Sequence, residues 1–72
     1  MSKLSLAEKH FEECKNNRIH YKDVPRYLEK KIQNEDEEVQ EAIEIYVRYN
    51  LYDRSLTDND IIYAKELLYD KK

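Results

Sequence analysis

His10 and Cys14 stand four residues apart, a spacing that sets two side chains on one face of a helix, and His20 follows in the next segment. Imidazole nitrogens and a thiolate are zinc ligands, so this trio is the first chemistry to weigh. Structural zinc sites use tighter and more numerous Cys/His groupings, and Cys14 falls on an apolar seam, where a buried thiol packs as a small hydrophobe. The expectation is packing, with no metal and no cofactor. For nucleophilic catalysis the candidates are Cys14 beside His10 or His20, and the hydroxyls of Ser2, Ser5 and Ser55. Ser5 suits a helix cap, and a 72-residue chain has little room for a cleft that excludes water. Paired acids are abundant, but they sit where helices should start or on solvated faces, where nothing raises a carboxylate pKa. The segment from Asp53 to Asp60 lacks the glycine and the closing glutamate of a calcium-binding loop. No catalytic residue is assigned, and no enzyme is expected.

Two groups of charges invite a binding role. Arg18, Lys22, Arg26 and Lys30 recur every four residues, which would make a phosphate-binding ridge if one helix ran through them. Asp23 as a cap and Pro25 in a first turn break such a helix, so a solvated face is expected. Residues 1–33 hold eight Lys or Arg against five acids, a balance of +3, while residues 34–72 hold five against eleven, a balance of −6, giving the formal net charge of −3. This asymmetry could steer the chain to a partner or head to tail to itself. Much of it is also helix-dipole matching: Lys30 and Lys31 fall at one helix end, and Glu35 to Glu38, Asp58 and Asp60 at helix starts.

Aromatic residues give the sharper binding signal. The chain has seven Tyr, one Phe and no Trp. Tyr46, Arg48, Tyr49 and Tyr52 fall within two helical turns, and Tyr and Arg concentrate binding energy at protein interfaces. A Tyr ring can be buried while its hydroxyl stays wet. With Ile45 beside them, and Tyr63, Leu67 and Tyr69 on the last helix, these are the candidate protein-interface residues. Core packing of the same tyrosines is the other reading.

The elements that would position these groups are helical. Asn34 is placed as an N-cap with Glu35, Asp36, Glu37 and Glu38 in the first turn, opening a helix that runs to about Tyr52. Val39, Ala42, Ile43 and Tyr46 form its stripe, with Val47 and Tyr49 on the shoulders, Leu51 on another flank, and Ile45 and Tyr52 well outside. Only Glu41, Glu44 and Arg48 make a polar strip. A helix so widely apolar must be covered from two sides, by its own bundle or by a second copy. Upstream, Ser5 to Glu8 has the form of a capping box for a helix from about Leu6 to Asn16, with a seam of Leu4, Ala7, Phe11 and Cys14 and a left-handed end at Asn16 and Asn17. Arg18 to Lys22 reads as a loop or short extended piece. A short helix then runs from the Asp23 cap to about Gln33, burying Val24, Leu28 and Ile32 beside Tyr27. Asp53 to Leu56 is a polar connection, and Thr57 to Asp60 caps a last helix with Ile61, Ala64 and Leu68 inward and Ile62, Leu67 and Tyr69 widening its face. Asp70, Lys71 and Lys72 are expected to fray.

Residues 43–51 also alternate in the two-residue rhythm of a strand, but the acidic start and the lack of any glycine for tight turns favour helix. The alternation of Ile19 and Tyr21 with Arg18, His20 and Lys22, followed by a Pro-started helix and then Val39 to Val47, resembles the layout of ribbon-helix-helix DNA-binding dimers. That resemblance spans about half the chain. It implies a strand at 18–22 that enters the major groove, with Arg18, His20, Lys22 and, nearby, Arg26 as DNA-contacting residues. The usual glycine turn is missing, the motif's first helix is several residues short, and a whole amphipathic helix precedes the strand.

At 72 residues this is one domain with a marginal core, and one cysteine provides no internal disulfide. Charged and hydrophobic residues each make up 40% of the chain, the latter periodically placed, which marks a folded domain. No apolar run is long enough for a membrane span, the N-terminus has no signal-like core, and a cytoplasmic location is expected. The leading expectation is an all-α bundle of three to four short helices, a homodimer by elimination of other supports. It would act as a small regulatory or adaptor protein binding an unidentified protein partner, of a kind that suits a virus, plasmid or microbe. The ribbon-helix-helix DNA-binding regulator is the alternative.

Overall fold

The computed structural model describes residues 2–70. Four α-helices follow one another: α1 (Lys3–Asn16), α2 (Val24–Leu28), α3 (Glu37–Asn50) and α4 (Asp58–Asp70), with a 3-10 turn at Tyr21–Asp23 leading into α2. No strand occurs among the described residues. Asp70, expected to fray, is helical and is the last described residue, while Lys71 and Lys72, also expected to fray, lie outside the described residues.

The central helix is the one that every other element touches: α1, α4, α2 and the 3-10 turn all pack on α3. Much of its wide apolar girth is therefore covered from within the chain, while Ile45, Tyr46 and Tyr49 stay partly exposed. Val39, Ala42, Ile43 and Val47 are its buried residues. They meet Ala7 and Cys14 of α1, Val24 and Leu28 of α2, Ile32 of the following turn, and Ala64 and Leu68 of α4 in one cluster. Burying a Leu, Ile or Val side chain of this kind contributes about 1.5–3 kcal/mol against leaving it in water. The inward stripe of α4, Ile61, Ala64 and Leu68, is the one its spacing predicts.

Helix starts move from where the capping residues suggest. Ser2, not Ser5, precedes α1, and the Ser5 hydroxyl donates to the Ser2 carbonyl at 3.0 Å instead of serving a free N–H. Asp36, not Asn34, precedes α3, and Gln40 Nε2 donates to the Glu35 carbonyl at 2.7 Å, holding residues 33–36 outside the helix. Reciprocal capping does occur, but at α4: Asp60 Oδ2 accepts from the Thr57 N–H at 2.9 Å, and Thr57 Oγ1 accepts from the Asp60 N–H at 3.3 Å. The second helix is shorter than expected, ending at Leu28, with turns rather than helix carrying the chain through Ile32.

On α1 the buried stripe is Ala7, His10 and Cys14, with Leu4 and Phe11 only partly covered. Packing against both α3 and α4 rotates the inward face so that His10 takes the depth expected of Phe11. Arg18 to Lys22 forms no ribbon strand. Arg18 adopts φ 55 in the turn after α1, and the Asp23 N–H bonds the His20 carbonyl at 2.8 Å, coiling the segment where the alternation suggested extension.

Candidate functional site

The end of α3 is built around a residue that glycine usually occupies. The Tyr52 N–H bonds the Tyr49 carbonyl and the Asp53 N–H bonds the Arg48 carbonyl, both at 3.1 Å, and Tyr52 itself takes φ 69. This is a Schellman cap with a bulky side chain in the left-handed position. The chain has no glycine to place there. Chain reversal turns Asp53 inward, to 4% exposure. Its Oδ2 accepts from Arg48 Nε at 2.8 Å and pairs with Arg48 Nη2 at 2.6 Å, while its Oδ1 accepts from the Ser55 hydroxyl at 2.6 Å and the Ser55 N–H at 3.0 Å. The Ser55 hydroxyl foremost, with the Ser55 N–H and the Arg48 guanidinium adding to it against the effect of burial, holds the Asp53 carboxyl below its ordinary range.

That network fixes the corner between α3 and α4 and leaves the Tyr52 side chain in solvent, 84% exposed. Beside it runs a groove of about 770 Å³, lined by Phe11, Tyr49, Tyr52, Arg54 and Leu56 among others. Tyr49 crosses to the first turn of α4, its hydroxyl donating to Asp58 Oδ1 at 2.8 Å, and this bond to a carboxylate raises its phenol pKa. Along α4, Tyr69 is 69% exposed and Ile62 and Tyr63 are also exposed. Ile62 and Tyr69, seven residues apart, share one face at about 100° per residue.

The eight residues expected at an interface thus fall into three situations. Tyr52, Tyr63 and Tyr69 are exposed; Ile45, Tyr46 and Leu67 rest partly buried against the core. Arg48 and Tyr49 are half-covered and engaged with Asp53 and Asp58. Phe11, Leu56 and Asp58 belong to the groove but were not singled out from the sequence, because only the folded corner brings them to Tyr49 and Tyr52. Asp53 belongs to the stretch whose sequence marks only a polar connection. An acid five residues past Arg48, across a helix end, was the one available hint of their pairing.

The cations Arg18, His20, Lys22 and Arg26 are all exposed but share no helix: Arg18 and His20 lie in the connection after α1, Lys22 in the 3-10 turn and Arg26 in α2. His20 Nδ1 accepts from the Lys22 N–H at 3.1 Å. His10, Cys14 and His20 are not gathered into one site, and among the described residues no cluster of three His, Cys, Asp or Glu side chains could hold a metal ion. No helix among them is long and apolar enough to cross a membrane. No family model matches this chain, and neither a curated protein nor a solved structure matches it.

Proposed function

We propose that this chain is a non-catalytic regulatory or adaptor protein that docks a protein partner, or a second copy of itself, through the tyrosyl surface at the corner of α3 and α4. Tyr52 carries the reading. A β-carbon in the left-handed region costs about 1–2 kcal/mol, and this position places a large aromatic ring in solvent at the rim of an aromatic-walled groove. Burial in the chain's own core does not offset that cost, whereas burial against a partner would, because Tyr is among the side chains that anchor interfaces. Ile62 and Tyr69 add a second exposed apolar patch along α4. The acids of the helix starts, Glu37 and Asp58 among them, would set orientation and approach rate.

Replacing Tyr52 by glycine tests this with the fold protected. Tyr52→Gly should raise stability in urea denaturation by about 1 kcal/mol, since glycine takes φ 69 without the clash. The same substitution should weaken self-association in sedimentation, or capture of a partner from the native host, by about 1 kcal/mol or more. A parent chain that stays monomeric and captures nothing that Tyr52→Gly loses would remove the proposal.

A further inference from the structure

On the other side of the same corner lies a hollow of about 490 Å³, walled by Tyr21, Lys22 and Pro25 on one side and by Arg48, Arg54 and Ser55 on the other, with Asp53 between. Small-ligand sites have volumes of this order. Its one carboxylate is occupied: both Asp53 oxygens are bonded, one by Arg48 and the other by Ser55. Its donors are not. Arg48 directs Nε and Nη2 to Asp53, leaving other N–H groups of its guanidinium unused. Neither Lys22 nor Arg54 has an ion-pair partner among the described residues.

Three cations against one carboxylate give these walls a balance of +2, in a protein whose formal net charge is −3. A hollow whose carboxylate is already bonded, with free cationic donors and two excess positive charges, suits a ligand rich in acceptor oxygens that carries two negative charges. A phosphomonoester has about −1.5 to −2 charge at pH 7 and three acceptor oxygens, whereas a monocarboxylate supplies half that charge. Tyr21, tilted against His20 with ring centroids 4.2 Å apart, and the Pro25 ring offer an apolar surface for the carbon skeleton.

We propose that this hollow binds a small organic phosphate with a flat ring, its phosphomonoester held by Lys22 and Arg54 together with the unused N–H groups of Arg48. The hollow shares Asp53 and Arg54 with the groove beside Tyr52, but Tyr21, Lys22 and Arg48 belong to it alone, and ligand binding there does not rest on partner docking. Amide shifts of the full chain are followed in titrations with AMP, phenyl phosphate, inorganic phosphate and benzoate. Saturable shifts at Tyr21, Lys22, Arg54 and Ser55 are expected with AMP or phenyl phosphate, and the affinity should fall about tenfold in Lys22→Ala and in Arg54→Ala. Both substitutions remove exposed side chains without ion-pair partners, so the unfolding midpoint should stay that of the parent. Inorganic phosphate should bind more weakly than phenyl phosphate. Absence of saturable shifts at millimolar ligand overturns the proposal, as does unchanged affinity in both variants. Benzoate binding as tightly as phenyl phosphate, or binding of inorganic phosphate alone, overturns it equally.

Discussion

His10 is 6% exposed, and its Nδ1 has no hydrogen-bond partner among the described residues. The nearest carboxylate oxygen, on Glu13, lies 3.9 Å away, too far for a hydrogen bond. Burial pulls the imidazole pKa below its ordinary 6.5; Glu13 opposes the shift, and Lys31 and Lys9 add to it. The unfolded chain therefore takes up a proton that the folded chain resists. Stability is full above the unfolded value, falls as pH drops through about 6.5, and levels off below the folded-state pKa. Urea midpoints measured between about pH 7.5 and pH 5 should decline in the parent and flatten in His10→Leu, which removes both the titration and the orphaned nitrogen. An equal slope in the two proteins would mean that His10 is not held neutral by the core.

At the scale of helices, the two long elements that end in open chain do so in the same way. After α1 the Ile19 N–H bonds the Cys14 carbonyl at 2.9 Å and the Arg18 N–H bonds the Lys15 carbonyl at 3.2 Å, with Arg18 at φ 55. This matches the Tyr52 corner, except that Ile19 and Cys14 supply an apolar contact where Asp53 and Arg48 supply an ion pair. Arg18→Gly should stabilise the fold by about 1 kcal/mol in thermal or urea unfolding, and no change would argue against a strained end there. These ends also show what could be read in advance. Ile61, Ala64 and Leu68, like Val39, Ala42 and Ile43, were legible because burial repeats over many residues and a single exception does not erase the period. Caps and ends were legible only in part: the Thr57 to Asp60 cap of α4, Asp23 before α2 and the last residue of α1, Asn16, fall where expected, and the others do not. Ser2 competes with Ser5, Asp36 with Asn34, and Arg18 with the two asparagines before it, and each contest is settled by where neighbouring helices force the chain to turn. The groove walls were hidden for the same reason: Phe11, Tyr49 and Leu56 are far apart until α1, α3 and the connection meet.

For the molecule as a whole, α3 is the common partner, and the chain closes its core by itself. The Cα radius of gyration is 10.9 Å, close to the roughly 11 Å expected of a compact domain of this size. Self-association, if it occurs, would then add to a finished core rather than complete it. The ion pairs from Lys3 to Glu35 at 2.9 Å and from Lys31 to Glu13 at 3.5 Å fasten the segment between α2 and α3 onto α1, but both are partly solvated and contribute little. Stability rests on the shared cluster. A domain this small has about 4–11 kcal/mol in total, and truncating a fully buried Ile costs about 2–5 kcal/mol. Ile43→Ala should therefore lower the unfolding midpoint severely or abolish the cooperative transition. A small loss would show that α3 is not the centre of the packing.

Cys14 is the chain's one thiol, fully buried, and burial first of all raises its pKa, so both access and ionisation protect it from electrophiles. A disulfide reagent such as DTNB can reach the sulfur only when α1 lifts away from α3 and α4. The pace of its colour change thus clocks the opening of the molecule, without a label having to be added.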